Sequence, residues 1–218
     1  MISDQDIPTT FPIFPLIGAV LFPQTRLPLN IFEPRYLNLI DSVLAGSRYV
    51  GMLQPRTRKQ DTDTDDGEIY DVGCLGRLTA FAETEDGRYM ITLTGITRFR
   101  IMSELAIKDG YRSVQANLKE FDPDPDLSLA RRQFDRAAFM ETLEAYLITL
   151  GAEESQETFE HAHDQALVTT VAMSAPFTPE EKQAVLECSD LRDQASMVRA
   201  IMEMATYGGS PDSPGLKH

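Results

Sequence analysis

The residues best suited to chemistry are two histidines and an aspartate in the segment His161–Asp164. On a helix, side chains two positions apart point about 200° away from each other, so His161 and His163 cannot bind the same ion. Glu157 stands four residues before His161 and would share its helix face, but a zinc site needs at least three protein ligands. We therefore predict no metal site here and interpret the cluster as a solvated helix face.

A second metal-like feature is the acidic run Asp61–Gly67, in which carboxylates recur at alternate positions. An EF-hand loop needs a glutamate at position twelve, whereas position twelve counted from Asp61 is Val72. The two cysteines, Cys74 and Cys188, are too few for a disulfide framework or a zinc site. We expect each cysteine to fill apolar space, and we predict no cofactor.

The sequence also lacks the motifs of two common classes of active site. It contains no Gly-x-x-x-x-Gly-Lys-Ser/Thr phosphate-binding loop, which excludes an ATPase of that class. It contains no Gly-x-Ser-x-Gly nucleophile elbow of the serine hydrolases. We therefore predict no catalytic residue and expect the chain not to be an enzyme.

The charge of the chain restricts its partners. The net charge is −14, and it is uneven: residues 1–120 carry 13 basic and 16 acidic side chains, whereas residues 121–218 carry 7 basic and 18 acidic ones. Nucleic-acid binding usually needs a basic patch to neutralise phosphates, so we expect no nucleic-acid partner. No apolar run approaches the roughly 20 residues of a membrane span, and the acidic start is unlike a secretory signal. We expect a cytoplasmic protein with no membrane partner.

The segment Phe14–Tyr36 shows how the first elements are arranged. Pro15, Pro23 and Pro28 exclude a helix over residues 14–32, because each lacks an N–H and clashes with the preceding turn. Its apolar runs therefore predict two buried extended segments within residues 11–32. Glu33 and Pro34 then open a helical pattern over residues 34–45, since proline suits the first helical position.

Further strands are predicted up to residue 118. Asp86-Gly87 predicts the turn of a hairpin, and Gly95 breaks the alternation of the strand that follows. Six or seven strands in about 110 residues favour a small barrel or sandwich. The predicted strands after the first helix are Arg48–Leu53, Leu75–Ala82, Tyr89–Thr94, Thr97–Met102 and Tyr111–Leu118.

The rest of the chain is predicted to be helical. The proline-broken segment Asp122–Asp126 marks a boundary, which gives a β-rich domain over 1–121, a helical domain over 127–208 and a disordered tail over 209–218. Thr178 and Glu181 form a capping-box pattern with Pro179 between them. The predicted helices are Leu129–Leu150 stopped by Gly151, Ala166–Met173, Pro179–Cys188, and a last helix capped by Ser189 or Asp190 and stopped at Gly208.

Six motifs follow one another along the chain: Phe14–Leu16, Leu21–Pro23, Leu27–Leu29, Ile31–Tyr36, Gly73–Gly76 and Gly95–Arg100. In this order they resemble the amino-terminal, substrate-binding domain of the ATP-dependent LON proteases, and small bacterial proteins that carry this domain without the protease. The resemblance implies an α+β fold: a PUA-like, LON-type small β-barrel with one short helix, followed by an α-helical bundle. It also implies a non-catalytic module that binds unfolded or partner polypeptide, alone or together with a separate protease.

Candidate binding residues lie near the first helix. We predict that Phe32, Tyr36 and Met52 contact a bound peptide, because they stand close to the helix that would wall a groove. Glu33 and Arg35 have two interpretations: an ion pair that fixes the strand–helix corner, or polar groups that line the groove. Arg98 and Arg100 are interpreted as a basic stripe or, more commonly, a solvated strand face.

The alternative function is a small-ligand or RNA site, or a hydrolase site, in a pocket of the barrel. An enclosed pocket with converging polar groups of perturbed pKa would favour that alternative.

Overall fold

The computed structural model describes residues 7–56, 67–121, 134–152, 159 and 161–208. The chain divides into two compact units, Met1–Asp126 and Leu127–His218, each with its own buried apolar side chains. The predicted boundary at 122–126, the disordered tail and most of the acidic run lie outside the described residues. No helix within the described part of the chain has both the length and the apolar character to cross a membrane.

The first unit is built on a six-stranded mixed sheet that closes on itself. Strand β6 pairs with β1 and also with β5, so β5, β4, β3, β1 and β6 form a closed ring. Strand β2 lies outside the ring and pairs with β5. The strands are β1 Thr10–Pro15, β2 Arg26–Ile31, β3 Tyr49–Leu53, β4 Val72–Glu83, β5 Tyr89–Glu104 and β6 Ser113–Asn117.

The two extended segments before the first helix are not neighbours in the sheet. Strand β1 runs parallel to β3 and antiparallel to β6, whereas β2 runs antiparallel to β5. The predicted hairpin is confirmed: β4 and β5 are antiparallel, and Gly87 takes a φ of 77° in the turn between them. These pairings place β2 beside that hairpin, where its side chains share a surface with those of β4 and β5.

Gly95 does not end a strand, contrary to the prediction. Strand β5 continues through it to Glu104, with an irregular register between Leu75 and Gly76 of the partner strand. A Cβ at position 95 would lie 2.0 Å from the carbonyl oxygen of Phe22, so glycine is needed here for a close approach of two backbones. The predicted strands Tyr89–Thr94 and Thr97–Met102 are therefore one long strand.

The interior of the ring is filled by apolar side chains. The rings of Phe11 and Phe99 meet edge to face with their centroids 4.9 Å apart. A Cβ at Gly51 would lie 2.9 Å from each of these two rings, so the strands approach closely because a side chain is missing there. The cluster contains Phe11, Ile13, Tyr49, Leu53, Ile69, Leu75, Phe99, Val114 and Ala116.

Helix α1, Pro34–Leu44, lies against this sheet and matches the predicted range. Pro34 occupies the first turn, where its missing N–H costs no hydrogen bond. The helix buries Tyr36, whose ring centroid is 4.2 Å from that of Phe14 on β1. A short 3-10 helix, Lys119–Phe121, follows β6.

The second unit is helical, as predicted. Helix α2 begins at Arg136, because Asp135 accepts the first backbone hydrogen bond of the helix, and Gly151 ends it with a φ of 66°. Asp190 rather than Ser189 accepts a hydrogen bond from the first turn of the last helix, from the N–H of Asp193. The helices are α2 Arg136–Leu150, α3 Asp164–Ser174, α4 Pro179–Glu187 and α5 Leu191–Gly208, and the first three all contact α5.

Candidate functional site

The three predicted peptide-contact residues occupy different environments. Phe32 is 63% exposed, whereas Tyr36 is 6% exposed and Met52 is 1% exposed. Tyr36 packs on Phe14, and Met52 lies on β3, where every residue is buried. A bound polypeptide could not reach these two side chains without opening the core, so only Phe32 of the three is placed for direct contact.

The polar pair beside Phe32 has the geometry of a structural corner. The Arg35 guanidinium donates to a Glu33 carboxylate oxygen at 2.6 Å and stacks on the ring of Tyr36, 4.6 Å from its centroid. The backbone carbonyl of Glu33 accepts hydrogen bonds from the first turn of α1, at 2.9 Å from the N of Tyr36. These contacts favour the interpretation that Glu33 and Arg35 fix the turn from β2 into α1.

One side of the three strands β2, β5 and β4 faces solvent. Asn30 pairs with Met90, which pairs with Ala82, and the side chains of all three are exposed. The alternate residues Leu29 and Ile91 point the opposite way and are buried. We call the solvent-facing side the outer face: Arg26, Pro28, Asn30 and Phe32; Arg77, Thr79, Ala80 and Ala82; Met90, Thr92 and Thr94.

Phe32 and Met90 form the apolar end of the outer face. Phe32 follows the last residue of β2, and continuing the register sets it one diagonal step from Met90. The two side chains are 63% and 46% exposed. A partner that covers these side chains would remove their apolar surface from water, which favours binding and is expected of a contact surface.

Charge on the outer face is confined to one end. Arg26 and Arg77 both lie opposite Thr94, and within the described part of the chain neither forms an ion pair. The hydroxyl groups of Thr79 and Thr94 lie 2.9 Å apart and hydrogen-bond to each other. The face therefore offers apolar contact at one end and positive charge towards the other.

Helix α1 contacts the opposite side of the same strands. The rings of Phe81 and Tyr89 lie 5.0 Å apart, and the Tyr89 hydroxyl donates to an Asp41 carboxylate oxygen of α1 at 3.1 Å. That hydrogen bond raises the pKa of Tyr89 above its ordinary value. The contact helps to hold α1 against the hairpin, on the side opposite the outer face.

Other exposed apolar side chains are spread over both units. In the first unit, Met102 and Ile107 flank the end of β5, ahead of a tight turn in which Asp109 and Gly110 have φ values of 50° and 84°. In the second unit, the exposed residues are Ile148, Leu150, Met197 and Met204. The sequence analysis did not identify Met90 or these residues, because period-two and helical patterns do not tell which face a neighbour covers.

Arg98 and Arg100 do not form a basic stripe. Arg98 is 3% exposed and stacks over Phe121, 4.6 Å from the ring centroid, so the expectation of a solvated strand face is wrong for it. Arg100 makes two hydrogen bonds of 2.7 Å to the Glu120 carboxylate. These hydrogen bonds lower the pKa of Glu120 below its ordinary value.

The residues with chemical potential are dispersed. His161 is exposed, His163 precedes the first turn of α3, and the described residues contain no group of three or more potential metal ligands. Cys74 is fully buried and Cys188 ends α4. Burial lowers the pKa of Lys182, whose Nζ donates to the Met173 carbonyl at 2.9 Å and so caps the end of α3.

Comparison with solved structures supports this fold. A Lon N-terminal domain protein from Xanthomonas campestris aligns with a TM-score of 0.62 at 20% identity, over 88% of this chain and 98% of that chain. The N-terminal domain of a Lon protease from Mycobacterium avium complex aligns with a TM-score of 0.63 at 15% identity, over 89% and 98% of the two chains.

The sequence comparisons agree. Lon protease 2 of Myxococcus xanthus is 25% identical over 210 residues, which are 93% of this chain and 24% of that protein. The Lon protease of Desulfosudis oleivorans is 33% identical over 98 residues, 45% of this chain and 12% of that protein. The chain therefore spans at most about a quarter of the length of these relatives. A family model described as the ATP-dependent protease La (LON) substrate-binding domain matches residues 10–204, and the chain belongs to that family.

Proposed function

We propose that this protein binds unfolded polypeptide without catalysing its cleavage, and that the outer face is the contact surface. The observation that carries the proposal is the exposure of Phe32 and Met90 at one end of a sheet face whose charged residues, Arg26 and Arg77, lie opposite Thr94 near the other end. Unfolded chains expose apolar side chains that folded proteins bury. The family description as a substrate-binding domain supports the same class of ligand.

The expected binding free energy is that of a transient complex. Full burial of a phenylalanine side chain is worth roughly 1.5–3 kcal/mol, and Phe32 and Met90 supply two such anchors at most. Association and ordering of the bound segment oppose this gain. We therefore expect binding in the micromolar range or weaker, which lets substrate be released or passed to a partner such as a separate protease.

The alternative of a pocket in the ring has less support. The ring interior holds the apolar cluster around Phe99, and Gly51 leaves no room there even for a methyl group. The shifted pKa values of the described residues have local causes, such as the Arg100 hydrogen bonds to Glu120. The net charge of −14 also disfavours RNA.

Calorimetry with an unfolded protein tests the proposal. Reduced, carboxymethylated α-lactalbumin is titrated into the full chain, with native α-lactalbumin as the folded control. Phe32→Ser should weaken binding about tenfold, the cost of one lost apolar anchor. Ile107→Ser is the matched control, because Ile107 is also 63% exposed but lies off the outer face.

Two results would contradict the proposal. One is the absence of measurable heat with the unfolded protein at micromolar concentrations. The other is an equal loss of affinity in the Phe32 and Ile107 variants, since this would mean that the outer face has no special role.

A further inference from the structure

Among the described strands, β2 lies at the edge of the sheet. Its neighbour β5 pairs with it from Arg26 to Ile31 on one side only. The carbonyl of Thr25 accepts a 2.9 Å hydrogen bond from the N–H of Gly95 on β5. In an antiparallel ladder, successive residues of a strand direct their backbone N–H and C=O groups alternately to its two sides. Counting from Thr25, the backbone groups of every second residue therefore face β5, and those of the residues between face away.

The residues whose backbone groups face away are Arg26, Pro28 and Asn30. The position of Pro28 agrees with this assignment, because a proline has no N–H to give to β5 and is tolerated where its nitrogen faces an open edge. Arg26 and Asn30 show no hydrogen bond on that side within the described part of the chain. The edge therefore offers three carbonyl acceptors and two N–H donors.

We propose that the bound polypeptide pairs with this edge as an added strand of about seven residues, the span from Arg26 to Phe32. This inference rests on the proposed function and specifies the form of its ligand. Backbone donors and acceptors in a straight row are complementary to an extended chain, whatever its sequence. Charge gives the orientation: a carboxylate of the ligand lies near Arg26, which has no acidic partner among the described residues, and its apolar side chains lie near Phe32 and Met90.

Pro28 weakens the pairing with the added strand, so that binding stays reversible. It removes one of the three donors that the edge would otherwise carry, at the centre of the pairing. Edge prolines also hinder permanent pairing between two copies of a chain. The edge is thus suited to hold many sequences weakly, because it recognises the backbone more than the side chains.

Backbone-methylated peptides test the added strand directly. The probe is acetyl-Glu-Thr-Val-Thr-Val-Thr-Val-amide, together with the peptide of reversed order, titrated into the full chain. Two analogues carry N-methyl groups on alternate residues, one set for each edge of the peptide strand. We expect one analogue to bind like the parent and the other to lose at least tenfold in affinity, because only one edge of the peptide faces β2.

Two substitutions in the protein give opposite expected effects. Pro28→Thr restores a donor and should tighten peptide binding about fivefold, whereas Asn30→Pro removes a donor and should weaken it about fivefold. Arg26→Gln should weaken binding of the glutamate peptide but not of its glutamine analogue. Circular dichroism of each variant checks that the fold is kept, and the methylated peptides give the answer even if Asn30→Pro fails to fold.

Equal affinities of the two methylated analogues would overturn the added strand. If unfolded α-lactalbumin still binds and Phe32→Ser still weakens that binding, equal affinities of the methylated peptides remove this inference alone and leave the proposed function intact. Failure of the unfolded protein to bind would instead remove the proposed function itself. Self-association of the chain that blocks the peptide would also count against the inference, because the edge would then belong to a second copy.

Discussion

At the scale of a single residue, Gly95 allows two backbone segments of the first unit to approach each other closely. A Cβ there would lie 2.0 Å from the carbonyl oxygen of Phe22 and 3.3 Å from Leu21. Backbone cannot move aside as a flexible side chain can, so we expect Gly95→Ala to lower the free energy of unfolding by about 3 kcal/mol or more. Urea denaturation, monitored through the NMR signals of residues in β5, would measure the change.

Gly87→Ala provides the comparison for that prediction. Gly87 has a φ of 77° but no atom within 4 Å of an added Cβ, so its substitution costs only the strain of a left-handed backbone, about 1 kcal/mol. If Gly95→Ala cost no more than Gly87→Ala, the close approach of the backbones at Phe22 would be disproved.

The ion pair of Glu120 with Arg100 predicts a dependence on pH. The Arg100 hydrogen bonds lower the pKa of Glu120 from its ordinary value of 4.5, so the unfolded chain binds this proton more readily than the folded chain. The stabilisation is therefore present above pH 4.5 and is lost as the pH falls through the lowered pKa. Glu120→Gln should cost less than about 1 kcal/mol at pH 7, because the pair is partly exposed.

Urea midpoints of the two proteins between pH 7 and pH 3 would check this prediction. The difference should shrink as the pH falls below 4.5 and as salt is added. Glu85→Gln is the control, because Glu85 is exposed in the hairpin turn and has no ion pair among the described residues. A difference that persists at low pH would mean that the glutamine disturbs packing instead of charge.

Residue types alone did not separate Phe32 from Tyr36 and Met52. All three are large apolar residues that the sequence analysis places near the same helix. Their exposure depends on their neighbours: Phe14 packs on Tyr36 and is the cross-strand partner of the buried Met52, whereas nothing described covers Phe32. Those covering groups come from distant parts of the chain, so spacing along the sequence carries no information about them.

Helix α4 shows, at the scale of an element, how much a local signal can predict. Its capping box is complete: the Thr178 hydroxyl accepts from the Glu181 N–H at 3.2 Å, and the Glu181 carboxylate accepts from the Thr178 N–H at 2.7 Å. Both partners lie within four residues, so the sequence pattern contains the whole motif. The hairpin turn at Gly87 was predictable for the same reason.

Pairings between distant segments were less predictable. The extended segments β1 and β2 were found correctly from their prolines, but their partners β3, β6 and β5 could not be read from local pattern. The continuation of β5 through Gly95 depends on contact with Phe22, which lies more than 70 residues away. The outer face exists because of these long-range pairings, and for that reason it was missed while Phe32 was found.

Removal of the α4 cap gives an element-scale prediction. Thr178→Ala deletes the acceptor for the Glu181 N–H and should lower the free energy of unfolding of the helical unit by about 1 kcal/mol. Urea denaturation followed at 222 nm, where helices dominate the signal, would measure it. Thr170→Ala on the exposed side of α3 is the control and should stay within about 0.5 kcal/mol; equal effects would argue against the cap.

The division into two units leads to a prediction for the whole molecule. The first unit closes its own ring of strands, and the second buries its own core, which includes Phe139, Leu167, Val185, Val198 and Met202. Elements with a complete core can fold without the rest of the chain. We expect fragments 1–126 and 127–218 to fold separately, with circular dichroism spectra that sum to that of the full chain.

A helical fragment without a cooperative thermal transition would contradict that expectation. Such a result would mean that the helices need the strand unit for their stability, as small cores often need outside support. Fragment 1–126 would then serve alone in the next experiment.

The final prediction concerns which of the two units binds the unfolded protein. The outer face and the open edge of β2 both belong to fragment 1–126. The exposed apolar residues of the helical unit, among them Met197 and Met204, carry no comparable backbone edge, because a helix satisfies its own N–H and C=O groups. We therefore expect fragment 1–126 to bind carboxymethylated α-lactalbumin with an affinity within about threefold of the full chain, and fragment 127–218 to bind at least tenfold more weakly, both by calorimetry. Tight binding by the helical fragment would move the contact surface from the sheet to the helices, and Phe32→Ser in the full chain would then leave the affinity unchanged.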